Sequence, residues 1–340
     1  MNTWIQNILN KNTRVAIPVM THPGIEAIGC TVHDAITNSE VHCRAVKHIA
    51  DHYPIFASTT IMDLTVEAEA FGSVVNFSQN EIPTVVGRLV YDENTVNELH
   101  IPNLDTGRLA IFLEAADRMV NCITDKPVFA GCTGPFSLAG RLFGMSEIML
   151  SIYIEPQVVL SLLDKCIEFL IRYCSALKRT GVTGVFIAEP AAGLLSNEDC
   201  MTFSSDYIRK LVDILQDDDF SIILHNCGNT GQCTQAMIDS DAAALHFGNA
   251  INMLQVLENC PNDRIVMGNI DPVGIMKQAH SNIVKSNVMK LLEDTSYYQN
   301  FVLSTGCDVP PKIPKDNIEA FFEALNTYNK TQSINERLSI

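Results

Sequence analysis

Long apolar runs are absent from this chain: none approaches the ~20 residues needed to cross a bilayer. No membrane is therefore expected as a partner. Basic residues are scarce, 23 Lys and Arg against 39 Asp and Glu, which leaves a net charge of −16. Neither Lys nor Arg forms a cluster. Non-specific nucleic-acid binding rests on neutralising phosphates, so nucleic acid is excluded as a partner. No Gly-x-Gly-x-x-Gly follows a strand-like run, and a dinucleotide fold has no support. No linker rich in Pro, Gly or Ser interrupts the chain, so residues 1–340 read as one domain. The opening lacks the charged start and continuous apolar stretch of a secretory signal, and a cytoplasmic location is expected. Eleven cysteines without such a signal read as free thiols in a reducing compartment.

What is present is a 47% hydrophobic composition, enough for a large core, arranged as short apolar runs alternating with amphipathic stretches. Strands are predicted at Ala16–Met20, Ile55–Thr60, Pro127–Cys132, Gly184–Ala188, Ser221–His225, Ala242–Phe247, Ile265–Asn269 and Phe301–Thr305. Helices are predicted between them. Glu155–Lys178 carries Val158, Leu162, Cys166, Phe169 and Ile171 mostly on one face, and Ser204–Leu215 carries Tyr207, Ile208, Leu211, Val212 and Leu215. An amino-terminal helix is expected within 1–14 from the spacing of Trp4, Ile5, Ile8 and Leu9. Residues 78–105 read as an excursion of loop and short helix. Eight strands with intervening helices predict an α/β fold, a (β/α)8 TIM-type barrel.

Barrel enzymes carry their chemistry at the carboxyl ends of the strands. There the sequence offers Asp63, Cys132, Glu189, His225, Cys227, His246, Asp271 and Cys307. His225 and Cys227 form a local His-x-Cys pair, and Cys307 follows 80 residues later in a similar strand-end setting beside a glycine. One nitrogen and two sulfurs make a soft ligand set that suits zinc, and three protein ligands point to a catalytic rather than a structural ion. The plain alternative is two buried thiols and a core imidazole. Glu189 reads as a fourth ligand, a general base or a strand-end acid facing water. His246 reads as a ligand, a residue orienting a ligand or a packed core histidine.

Several segments together resemble the uroporphyrinogen decarboxylase superfamily, and within it the zinc-dependent methylcobamide methyltransferases. They are Asp63-Leu-Thr-Val-Glu-Ala-Glu-Ala-Phe-Gly72, Gly134-Pro-Phe-Ser-Leu-Ala-Gly140, His225-Asn-Cys-Gly228, Gly268-Asn-Ile-Asp-Pro272 and Ser304-Thr-Gly-Cys-Asp-Val-Pro-Pro311, continued by Asn317. They run in family order over nearly all of the chain. The resemblance implies zinc on His225, Cys227 and Cys307, and methyl transfer from a methylated corrinoid protein to a small thiol such as coenzyme M. Tetrahydrofolate and homocysteine stand as other acceptors. The decarboxylase branch needs no metal and opens on an arginine-rich motif; Ile17-Pro-Val-Met-Thr-His-Pro-Gly24 here has no arginine. In that alternative, a carboxy-lyase without a metal, Asp63 would be the key acid.

Overall fold

Strands buried on both faces must be apolar throughout, and the sheet of this protein is built from such runs. The computed structural model describes residues 2–338, with side chains described through 332. Among the described residues nine strands occur in chain order: β1 (Ser58–Thr59), β2 (Val74–Asn76), β3 (Thr84–Val86), β4 (Val128–Thr133), β5 (Gly184–Ala188), β6 (Ser221–Asn226), β7 (Ala244–Phe247), β8 (Ile265–Ile270) and β9 (Phe301–Thr305). Seven of them form one curled parallel sheet in the order β1-β4-β5-β6-β7-β8-β9. Every residue of β4, β5, β6, β7 and β9 is buried. The fold class is α/β, as expected. Among the described residues no helix is long and apolar enough to cross a membrane.

Two expected strands are shorter than the hydrophobic pattern implied. Ala16–Met20 reduces to a single bridge between Ala16 and Leu303, because Pro18 has no N–H to continue a ladder. Ala16 nevertheless links both edges of the sheet. Its carbonyl accepts from Phe56 N–H at 2.8 Å, while Ile17 N–H donates to Leu303 at 2.9 Å. Ile55–Thr60 shrinks to β1, which follows Pro54. The excursion differs too: Thr84–Val86 pairs antiparallel with Val74–Asn76 as a ribbon, and only Glu93–Glu98 is helical, started by a capping box between Asp92 and Thr95.

The alternation of side chains along the strands produces two cores. Outward residues such as Leu224, Leu245, Val266 and Leu303 pack beneath the helices, chief among them Pro156–Arg179 and Leu109–Cys122. Inward residues Phe129, Phe186, Ile223, Ala244, Ile265, Met267 and Val302 form a second, smaller core. The amino-terminal helix, Thr3–Leu9, supplies Trp4, Ile5 and Ile8 to this inner core. Trp4 Nε1 donates to Ser221 Oγ at 3.0 Å, and its ring meets Phe129 edge-on at 5.1 Å. Contacts then run from Phe129 to Phe186 at 5.9 Å, on to His246 at 5.8 Å and to His225 at 4.7 Å. A column of rings thus joins the amino-terminal helix to the strand-end histidines.

Trp4→Ala should lower the unfolding free energy by about 3–5 kcal/mol, the usual cost of emptying an aromatic site. The shift in urea midpoint at unchanged slope measures it. A loss below about 1 kcal/mol, the level of a surface substitution, would mean that the helix is peripheral to the inner core.

Candidate metal centre

Strand register assembles the centre. His225 of β6 pairs with His246 of β7, so both side chains project to the same, inner face. Cys227 directly follows β6, where the Asn226 side chain accepts from the N–H groups of Gly228 at 3.0 Å and Asn229 at 2.9 Å and turns the chain. Cys307 lies two residues beyond the end of β9. Close backbone approach makes two glycines necessary there. A Cβ on Gly248 would lie 2.8 Å from the Cys227 Cα, and one on Gly306 would lie 2.5 Å from Asn249 N. The ligand atoms of His225, Cys227 and Cys307 all fall within 4.8 Å of one another.

A hydrogen-bond chain behind His225 decides which of its nitrogens is bare. Ser304 Oγ lies 2.7 Å from the Ile17 carbonyl and 3.1 Å from that of Thr305, and a carbonyl only accepts. Ser304 therefore spends its one hydrogen there and accepts from His246 Nε2, 2.8 Å away. His246 is neutral, because burial first, and then the neighbouring His225, press its pKa well below the ordinary value. Its bare Nδ1 accepts from His225 Nδ1 at 2.7 Å. With Nδ1 of His225 engaged in this way, the ring position open to an ion is Nε2, which faces Cys307 Sγ at 3.8 Å. Tetrahedral zinc would separate such a nitrogen and sulfur by about 3.6 Å, so this pair needs little movement to hold an ion. The thiols fit as well. Their mutual hydrogen bond lowers the Cys227 pKa and, together with burial, raises that of Cys307.

The remaining strand-end residues lie outside this cluster. His246 has both nitrogens engaged and sits behind His225 rather than beside the sulfurs. Glu189 is buried at the start of the helix Pro135–Phe143, accepting from Phe136 N–H at 2.9 Å and from Ser137 N–H at 3.3 Å. Burial raises its pKa from 4.5 to about 8. Asp63 is enclosed: one oxygen pairs with Arg108, and the other accepts from Thr65 N–H at 2.9 Å and Thr65 Oγ at 2.7 Å. Cys132 turns outward, 3.7 Å from Cys174 Sγ. Asp271 accepts from Val273 and Gly274 N–H, each at 2.9 Å, in a turn. Sequence reasoning missed Ser304 and Arg108. Ser304 had a weak signal, as a polar residue in an otherwise apolar run, two residues after Val302 and so on the same face. Arg108 had none.

A profile described as uroporphyrinogen decarboxylase (URO-D) matches residues 13–328. The chain belongs to that family. Within it, the chain is 27% identical over 274 residues to the methylcobamide:CoM methyltransferase MtbA of Methanosarcina mazei, covering 78% of each protein. It is 23% identical to the uroporphyrinogen decarboxylase of Alcanivorax borkumensis, covering 86% of this chain and 84% of that one. A solved methyltransferase from Methanosarcina mazei shares its fold, with a TM-score of 0.87 at 22% identity over 96% of this chain and 98% of the other.

Two predictions follow from the geometry. Ser304→Ala frees the His246–His225 chain to invert, so zinc affinity should fall about 10–100-fold, as is usual when a partner behind a ligand is lost. Competition with a chromophoric chelator reads this; unchanged affinity would remove the relay. The second concerns pH. Because its folded pKa is raised, Glu189 takes up a proton on folding, and its contribution to stability declines as pH climbs from about 5 to about 8. Glu189→Gln keeps an acceptor without the charge, so its melting temperature relative to the parent protein should rise between pH 5 and pH 9. A pH-independent difference would mean that Glu189 is ionised throughout.

Proposed function

We propose that this protein is a corrinoid-dependent methyltransferase, moving a methyl group from a protein-bound methylcobamide to a small thiol, coenzyme M or another. The supporting observation is the His225–Cys227–Cys307 cluster, with His225 Nε2 facing the sulfurs and the Cys227 pKa lowered by its bond with Cys307. The higher identity to the methylcobamide:CoM enzyme than to the decarboxylase favours the same reading. We take the whole of 1–340 as one (β/α)8 barrel domain, a reading supported by the hydrogen bonds of the Ala16 segment to both edges of the sheet. The eleven free cysteines favour a reducing cytoplasm.

His225 Nε2 and the sulfurs of Cys227 and Cys307 would hold zinc. Bound zinc supplies the charge that keeps an acceptor thiol deprotonated at neutral pH. His246 and Ser304 keep Nδ1 of His225 a donor, so Nε2 stays available as a ligand. Glu189, rather than acting as a ligand or base, ties the helix Pro135–Phe143 to the end of β5 beside the cluster. The acceptor sulfur forms its bond to the methyl carbon as the carbon–cobalt bond breaks, and the electron pair remains on cobalt. The metal-free carboxy-lyase reading is weaker, because Arg108 and Thr65 occupy the oxygens of Asp63.

Methylcobalamin mixed with the protein and a panel of thiols should lose its methyl–cobalt absorbance, and a chelator should stop the loss. Cys307→Ala should lose both zinc and this activity. Release of carbon dioxide from uroporphyrinogen, insensitive to chelator, would overturn the proposal in favour of the carboxy-lyase.

A further inference from the structure

A cavity of about 410 Å³, in the size range of small-molecule sites, begins one residue beyond Cys307. Asp308, Val309 and Pro310 line one part of it, and Met62, Thr65 and Arg141 another. Two arginines stand near the carboxylates of this region, and they are treated differently. Arg108 is fully engaged: it pairs with Asp63, donates to Glu69 at 2.6 Å and donates to Thr65 Oγ at 2.8 Å. Arg141, in the last turn of the helix Pro135–Phe143, has none of this. Its Nε is buried without a hydrogen-bond partner, and its guanidinium makes no ion pair among the described residues. Cations near a helix end often bond its last carbonyls, but Arg141 donates to none of them.

Glu67 and Asp63 favour the charge of Arg141 from a distance, but neither gives its guanidinium a hydrogen bond. Glu67 accepts from Thr133 N–H at 3.1 Å through one oxygen, and its other oxygen is buried without a partner. Burial raises its pKa to about 7. Asp308 is turned to the other side, accepting from Thr21 N–H at 2.8 Å. A guanidinium is always charged and offers a planar fork of donors. Left largely out of water with its Nε unbonded, it is a group whose hydrogen-bonding partner is missing.

We propose that Arg141 is an anion-binding residue, taking the carboxylate or sulfonate tail of the acceptor whose sulfur goes to the His225–Cys227–Cys307 cluster. The inference rests on the thiol-acceptor reading for its substrate, and on the cavity alone for its anion. It makes the acceptor an acidic thiol rather than a neutral one.

Ethanesulfonate and propionate, tails that carry no thiol, separate the two. Calorimetric titration of the purified full-length protein should show saturable binding with or without zinc. Arg141→Met should weaken it about 10- to 100-fold, the range for a lost hydrogen bond to a charged group, with circular dichroism and zinc content retained. Arg141→Lys, which keeps the charge but not the fork, should fall between. In turnover, the preference of Arg141→Met for 2-mercaptoethanesulfonate over 2-mercaptoethanol, as a ratio of kcat/KM, should drop by a similar factor. Should Arg141→Met fail to fold, phenylglyoxal labelling of the parent protein gives the same answer: ethanesulfonate should protect Arg141. Tail binding unchanged in Arg141→Met, or no protection of Arg141, overturns the anion site. Tail binding that depends on Arg141 in a protein inactive with every thiol upholds the anion site and removes the methyl-transfer reading.

Discussion

A carbonyl oxygen cannot donate a hydrogen bond, and the candidate metal centre depends on that asymmetry. The Ile17 carbonyl fixes the hydroxyl of Ser304, which fixes the tautomer of His246, which in turn fixes that of His225. The one imidazole nitrogen not engaged by this chain is the one facing Cys307. Each link is buried, so water does not compete for it, and a low-dielectric setting makes the ordering of such a chain stiff. The chain also starts on the Ala16–Ile17 segment, the same piece of backbone that hydrogen-bonds both edges of the curled sheet. The hydrogen bonds to the two edge strands and the ordering of His225 therefore depend on one segment of backbone.

The column of rings beneath His225 plays the matching steric role. Trp4, Phe129, Phe186 and His246 fill the inside of the sheet from the amino-terminal helix to the strand ends. Packed interiors transmit displacement rather than absorb it. The imidazoles thus have a floor, while the loops above them are held by glycines where a Cβ would collide with Cys227 or Asn249. Rigidity below and close-packed backbone above leave little freedom for the two sulfurs to part.

Charge is distributed with similar economy around the cavity beside the centre. Asp63, Glu67 and Glu69 lie within one short stretch, the last two on the helix Val66–Phe71, and a concentration of like charge would be unstable if all three were ionised and unpaired. Arg108 neutralises two of them. Glu67 is left to respond by a raised pKa, and Arg141 is left without a partner. The acidic net charge of the whole chain makes this lone guanidinium more conspicuous, since basic groups are few.

Much of this was legible in the residue order, and the boundary of legibility has physical causes. Apolar runs of five or six residues identified the strands from β4 to β9, because a parallel strand covered on both faces admits little else. The same criterion overstated Ala16–Met20, where Pro18 removes a donor, and Ile55–Thr60, where burial continues but pairing does not. His225, Cys227 and Cys307 could be named together because metal ligands are chemically rare types placed at strand ends. Their meeting within 4.8 Å was not in the sequence, since 80 residues and a shared register lie between the two cysteines. Nor could local pattern separate His246 from His225, or Glu189 and Asp63 from a ligand set; all four are polar residues at or near strand ends. Sequence by itself determined the alternation of strand and helix and the soft ligand types, because these depend on local periodicity and side-chain chemistry. Only the tertiary structure decided which histidine faces the sulfurs, which acids are already paired and which arginine is not, because hydrogen bonds and ion pairs between distant segments exist only once the sheet has curled.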